Sequence, residues 1–503
     1  MFTHLPMKTK LSMYYIIMIR KLLPCLFILG CSQAVLAQNE HKMSDTYQLP
    51  KDSLVRQKLA RWQDKKFGLF MHWGTYSQWG VAESWTICPD DWVTRTGPYS
   101  NDYFAYKKAY ENLQTTFNPA NFNPEKWVKA AKAAGMNYVV FTTKHHDGFS
   151  MFDTKQTDYK ITDPKTPFSK NPRSNVTKEI FNAFRNDNFM IGAYFSKPDW
   201  HNENYWWPYF PPKDHNVNYD PQRYPERWQK FKDFTYNQIE ELMTGYGKID
   251  ILWLDGGWVR PSVTKDNDPQ HYNQDIDMAR IAKMSRSYQP GLIMVDRTVT
   301  GEFENYTTPE QEVPDKPLSY PWETCMTIGK YWSYVPDDEF KPGRLLVQTL
   351  IKIVSRGGNL LLNIAPGPDG DWNPTAYQRL QDIANWMKIN EKGIYASEPV
   401  IPYSVGNIYF TRSKTKKTLY AFWLSEKDNV TLPAEVSFPV NNIKRIKKVS
   451  LLGNSEKLKW AYQNGQLRIQ IPKSLQKSSI LKYSDTFGIL KSIQTTSLST
   501  STL

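Results

Sequence analysis

Between residues 66 and 364, short apolar blocks recur along the chain, each ending in polar residues and most followed by a stretch with helical spacing. The clearest is Ile251-Leu-Trp-Leu254, bounded by Gly245 and Gly247 before it and by Asp255-Gly-Gly257 after it. An apolar run of this length between turn residues reads as a strand buried on both faces, as in a parallel sheet. The same pattern predicts strands over 66–74, 138–143, 190–196, 291–297 and 359–364. Helical spacing predicts helices over 123–135, 176–185, 221–243, 274–287, 344–355 and 375–390. The first of these is fully punctuated, with Asn123 as cap, Pro124 in the first turn and Gly135 at the end. Alternating units of this kind predict an α/β fold, a (β/α)8-like TIM barrel over residues 45–395, irregular between 298 and 341 where helix signals are poor.

Past that region the period changes. Residues 407–412, 418–424, 448–452 and 467–472 read as strands, and Asn464-Gly465 is a hairpin turn. They predict a β-sandwich domain over 398–483, either a sugar-binding module or a packing domain that braces the barrel. The Ser/Thr-rich end, 484–503, is expected to be a disordered tail. At the other end, Lys8, Lys10, Arg20 and Lys21 precede the apolar Leu22-Leu-Pro-Cys-Leu-Phe-Ile-Leu-Gly30, and Val35-Leu-Ala37 offers small residues for cleavage. Residues 1–37 therefore read as the signal peptide of an exported protein, periplasmic or extracellular. The rival reading is a lipoprotein box, Ile28-Leu-Gly-Cys31, with the lipid on Cys31. Neither leaves a transmembrane segment, because the apolar stretch is too short to span a bilayer.

Composition narrows the partners. The 503 residues exceed one ordinary small domain, and 40% hydrophobic residues supply ample core. The aromatic share of 14%, with 18 Trp, is high; most of these rings belong to the core, and the rest suit the stacking of sugar rings. The net charge of +13 is spread over Lys-rich surface stretches, with no basic helix or zinc finger, so no nucleic-acid partner is inferred. Cys25 and Cys31 lie in the leader; Cys88 and Cys325 remain, with neither a disulfide framework nor metal-site spacing.

Polar groups stand at or just past the ends of the apolar blocks: His72, His145, His146, Tyr194, Asp255 and Arg297. A barrel gathers the carboxyl ends of its strands on one face, so these distant residues converge. The bland alternative for Asp255 is a helix cap. A metal site at His145-His146-Asp147 is disfavoured, since adjacent residues rarely both ligate one ion and no His-Glu-x-x-His occurs. Serine-hydrolase and phosphate-loop motifs are also absent. Glycosidase chemistry fits the set better: a nucleophilic carboxylate, a second carboxyl about 5 Å away as acid and base, and neutral groups for ring hydroxyls. Asp255 suits the first role, ionised and oriented by Arg297. For the second, Glu302, Glu304, Glu310, Glu312 and Glu323 all compete.

Over residues 52–397 the chain resembles glycoside hydrolase family 29, the retaining α-L-fucosidases. The resemblance rests on five stretches in order: Lys66-Phe-Gly-Leu-Phe-Met-His-Trp-Gly74, Thr143-Lys-His-His-Asp-Gly-Phe149, Gly192-Ala-Tyr-Phe-Ser196, Leu252-Trp-Leu-Asp-Gly256 and Gly357-Gly-Asn-Leu-Leu-Leu-Asn-Ile-Ala-Pro366. It implies that Asp255 is the nucleophile, that His72, His145, His146, Tyr194 and Arg297 surround the fucose, and that Trp332 faces the sugar. Thr308-Pro-Glu310 matches the family's Thr-x-Glu pattern, which makes Glu310 the acid/base. Glu83-Ser-Trp85 matches the family's Glu-Trp pair with one extra residue between. The implied substrates are fucosylated oligosaccharides or glycoconjugates, with no metal and no cofactor. Two alternatives stay open: an α-L-galactosidase on the same scaffold, and a catalytically silent carbohydrate-binding protein.

Overall fold

Seven parallel strands form the frame of the larger part of the molecule: β1 Phe67–Met71, β2 Tyr138–Lys144, β3 Met190–Ser196, β4 Ile251–Asp255, β5 Ile293–Asp296, β6 Glu323–Thr327 and β7 Asn359–Asn363. The computed structural model describes residues 47–262, 272–425, 432–440, 445–476 and 484–491. The leader 1–37 with Cys31, and residues 492–503 of the expected tail, lie outside the described residues. The strand order β5-β4-β3-β2-β1-β7-β6 is that of a curled sheet whose edges are β5 and β6. Unpaired edges expose backbone donors and acceptors, and here both edges are covered by the irregular segment 303–311. Asp296 N donates to Phe303 O and Asn305 N to Met294 O on one side; Glu323 N donates to Thr307 O and Cys325 N to Pro309 O on the other. This segment stands in for an eighth stave, so the fold is an irregular (β/α)8-like barrel. Pro309, Pro314, Pro317 and Pro321 explain the irregularity, since proline lacks the donor that a helix or central strand needs.

The expected helices form with shifted ends. Asn123 caps Pro124–Ala133 by accepting from Lys126 N, and Gly135 follows at φ 85°. The helix expected over 221–243 runs Pro225–Gly245, with its proline in the first turn. That expected over 274–287 begins later, as Met278–Tyr288 capped by Asp277. Gln274 is instead buried in the preceding loop, where its amide donates to Asn216 Oδ1 and its oxygen accepts from Tyr205 Oη. Among the described residues three α-helices had no expectation: Ser53–Lys65 and Tyr103–Glu111, capped by Asp52 and Asp102, and the short Lys473–Gln476.

The sandwich has a five-stranded and a three-stranded antiparallel sheet. Phe410, Ala421, Phe487 and Ile489 of the first meet Phe438, Leu467 and Ile469 of the second in one apolar core. Asn464 and Gly465 take φ 51° and 77° in the hairpin that joins Lys459–Gln463 to Gln466–Gln470. The expectation of a disordered tail from residue 484 is corrected. Ser484–Lys491 is a strand between Thr418–Leu424 and Ile446–Leu451, with Phe487 and Ile489 fully buried. These apolar side chains alternate inwards, and that local period outweighs the polar composition of the end. Barrel helices bond directly to this part: Trp386 Nε1 donates to Ser484 O and Gln348 Nε2 to Ser425 O.

Candidate active site

Asp255 is the last residue of β4, and its carboxylate is only 14% exposed. The turn that follows needs glycine: Gly256 has φ 90°, and a Cβ there would stand 2.4 Å from Pro198 Cδ. Tyr194, on β3, donates to Asp255 Oδ2 at 2.8 Å; Arg297 Nη1, just past β5, donates to Oδ1 at 3.1 Å. His146 Nε2 stands 3.7 Å from Oδ2. Burial alone would push this carboxyl up, but the guanidinium of Arg297, the His146 ring and the Tyr194 hydroxyl together hold it well below the usual carboxylate range. Asp255 is an ionised, oriented carboxylate and not a helix cap.

Arg297 makes a second charged contact. Its Nη2 donates to Glu310 Oε2, and Trp332 Nε1 donates to the other oxygen, Oε1, at 3.1 Å. One planar guanidinium therefore spans two carboxyl groups from different elements. Of the five carboxyls that competed in the sequence, Glu302 and Glu312 are exposed. Glu304 is buried and accepts from Thr298 N. Glu323 points into the barrel interior, accepting from Tyr138 Oη at 2.6 Å and Trp253 Nε1 at 3.4 Å. Burial pushes both buried groups up to about 7. Among the described bonds, only Glu310 shares its arginine with Asp255.

The histidines are neutral. His72 donates from Nδ1 to Asn363 Oδ1 at 2.8 Å, an oxygen that also accepts from the His72 backbone N. That tautomer leaves Nε2 as an acceptor. Burial takes His72 down to about 4 and His146 to about 3; His145, bonded to Ser84 Oγ through Nδ1, is also driven well below the usual histidine range, mainly by burial. Trp332 lies 5.0 Å from the His72 ring and Trp85 lies 5.4 Å from the His146 ring. Glu83 is buried; burial, with Glu310 and Asp255 adding repulsion, pushes its carboxyl up to about 7. The extra residue between Glu83 and Trp85 is absorbed in the 3-10 turn Ser84–Ile87, so both reach this neighbourhood.

Ser84 and Asn363 were missed in the sequence, although Asn363 has the informative position of a polar residue ending an apolar strand. Also missed was the buried pair Lys197–Asp296, at 2.6 Å, which ties the end of β3 to the end of β5 across β4. Lys197 N donates to Asp255 O, and Asp296 immediately precedes Arg297. His145, His146 and Asp255 each offer a ligand atom within 4.8 Å of one another. The Arg297 guanidinium already bonded to Asp255 would repel a cation there, and a set of neutral histidines beside one carboxylate suits sugar hydroxyls better.

Residues 34–392 match the family model described as alpha-L-fucosidase, and residues 403–489 match that of the alpha-L-fucosidase C-terminal domain. The chain belongs to the α-L-fucosidase family, glycoside hydrolase family 29. Among curated fucosidases, it is 28% identical to the plasma alpha-L-fucosidase of Rattus norvegicus, over 81% of this chain and 86% of that one. It is 26% identical to the tissue alpha-L-fucosidase of Homo sapiens, over 81% and 84%. Among solved structures, alpha-L-fucosidase isoenzyme 1 from Paenibacillus thiaminolyticus superposes with TM-score 0.70 at 25% identity, covering 88% of this chain and all of that one. A GH29 fucosidase from Bacteroides thetaiotaomicron, at 22% identity and TM-score 0.68, shares the fold over 89% of this chain and 98% of its own.

Proposed function

We propose that this chain is an exo-acting, retaining α-L-fucosidase in which Asp255 is the nucleophile and Glu310 the acid/base. It is a glycoside hydrolase that releases terminal α-L-fucose from fucosylated glycans. The observation that carries the residue roles is the Arg297 fork, which bonds one carboxyl with each terminal nitrogen. Two carboxyls on one fork suit the short separation of a retaining pair, about 5 Å, better than the wider gap an inverting enzyme leaves for water.

The reaction is a double displacement. An Asp255 oxygen attacks the anomeric carbon as the bond to the leaving oxygen breaks, and Glu310 gives that oxygen its proton. A glycosyl ester on Asp255 results. Glu310, now a base, takes a proton from water; the water oxygen attacks the anomeric carbon, the ester bond breaks, and fucose leaves with retained configuration. His72, His145, His146 and Tyr194, all uncharged, bind ring hydroxyls, with Glu83 and Trp85 as further contacts. Trp332 offers an apolar wall to the C5 methyl. Such a wall rejects a hydroxymethyl group only weakly, by about 1–3 kcal/mol, so α-L-galactosides are expected as poor substrates. The catalytic unit is the barrel, 45–395, and the sandwich braces it. Among the described residues no helix is long and apolar enough to cross a membrane. Export is read from residues 1–37, with lipidation at Cys31 as its alternative; mass spectrometry of the mature N-terminus separates them.

Hydrolysis of 4-nitrophenyl α-L-fucoside, beside the α-L-galactoside, by wild type and by Asp255→Gly with and without azide tests the reading. The expected result is fucoside turnover that is lost in the variant and restored by azide as a glycosyl azide of inverted configuration. A wild type that binds fucose without turning over any fucoside would leave the silent binder. Preference for the α-L-galactoside would keep the mechanism and change the substrate.

A further inference from the structure

Trp92 is 60% exposed, an unusual state for so large an apolar ring. It is not a free side chain. Its Nε1 donates to Asp90 Oδ2 at 3.1 Å, and Asp90 is itself held by His215, whose Nδ1 lies 2.8 Å from Oδ2 and whose backbone N donates to Oδ1 at 3.1 Å. The indole is thus fixed in orientation with much of its surface in water. Its ring centre lies 5.0 Å from that of Trp85, which lies 5.4 Å from His146, whose Nε2 is 3.7 Å from Asp255. Trp258, three residues past the nucleophile, has its ring centre 5.7 Å from that of Trp85. A line of rings therefore runs from the reacting carboxylate out to the surface. Flat, rigid aromatic faces bind with little ordering loss, and the apolar C–H face of a pyranose is their natural complement.

We infer that Trp92 is a stacking platform for a second sugar ring of the substrate, next to the fucose held at Asp255, so that the enzyme is adapted to oligosaccharides over simple fucosides. This rests on the fucosidase reading above. The second ring is either the leaving-group sugar or a sugar branching from it, since both present the same C–H face.

The full-length wild type, Trp92→Ala, Trp92→Leu and Trp92→Phe are compared on 4-nitrophenyl α-L-fucoside, a linear fucosyl disaccharide and a branched fucosylated trisaccharide. The readout is the ratio of kcat/KM on each saccharide to that on the aryl fucoside. The ratio is expected to fall about five- to tenfold in the Ala and Leu variants, through KM, and to recover in Trp92→Phe, whose ring restores the face. A fall on both saccharides assigns the platform to the leaving-group sugar, and a fall on the trisaccharide alone assigns it to the branch. Ratios equal to wild type for both saccharides overturn the platform while leaving the fucosidase reading intact. No turnover of any fucoside by wild type overturns both.

Discussion

The two walls of the candidate site are built by different means. One carries Asp255, His72, His145, His146 and Tyr194 on or next to the ends of β1 to β4, parallel strands whose pairing shifts register once, between Thr142 and Lys144, and which are buried along nearly their whole length. The other carries Glu310 and Trp332 between residues 298 and 341, where the only strand among the described residues is β6. The first wall holds its carboxylate ionised through three fixed partners. The second holds its carboxyl through the tip of Arg297 and one indole N–H. The difference matches the tasks proposed for them: a nucleophile acts from one position in one protonation state, whereas an acid/base must exchange a proton twice and admit leaving groups of varied shape.

The largest effect should come from the strand-borne wall. Asp255→Gly is expected to lower kcat by about 10⁴-fold or more, because nothing nearby can replace the nucleophile. Next comes the loop-borne wall, where Glu310→Gln should cost roughly 10²- to 10⁴-fold on a fucosyl disaccharide. The loss should be much smaller on 4-nitrophenyl fucoside, whose leaving group departs without a proton. Equal losses on the two substrates would remove Glu310 from the acid role. The link between the walls is tested by Arg297→Met. Without the guanidinium the ionised form of Asp255 loses its main support, so its pKa rises and the acid limb of kcat/KM moves to higher pH. In wild type that limb should lie near or below pH 4, where His72 begins to charge. A limb near pH 6 would show that the histidines titrate normally.

The smallest effect on activity should come from beneath the site. Glu323 is pushed up to about 7 by burial, so between pH 4.5 and 7 the folded chain keeps a proton that the unfolded chain has released. The associated stability is fully present below 4.5 and is lost as pH rises through 7. Glu323→Gln removes that loss. Relative to wild type it should gain about 2–4 kcal/mol on going from pH 5 to pH 8, read by denaturant unfolding at both values. A gain independent of pH would mean that Glu323 is ionised in the fold.

What could be read without the structure followed the period of the chain. The strand 190–196 and the Asp255 strand were legible because apolar blocks between turn residues allow few other conformations, and a strand end points its last polar side chain at the barrel mouth. His72, His145, His146, Tyr194 and Arg297 were found by the same rule. Glu83 and Trp85 required the resemblance, since no period marks a 3-10 turn. Choosing Glu310 over Glu302, Glu304, Glu312 and Glu323 also required the resemblance, through Thr308-Pro-Glu310, because all five stand in or beside one proline-rich stretch whose spacing does not separate them. The late start of the helix at Met278 was hidden because Gln274 takes its place from partners far away in the chain, whereas the strand Ser484–Lys491 was hidden by the polar composition around its short apolar alternation. Local sequence by itself determined which elements form and which residues end them, because strand and helix periods act over a few residues. Only the tertiary structure decided which carboxyl shares Arg297 with Asp255, because a loop is positioned by what it packs against and not by its own sequence.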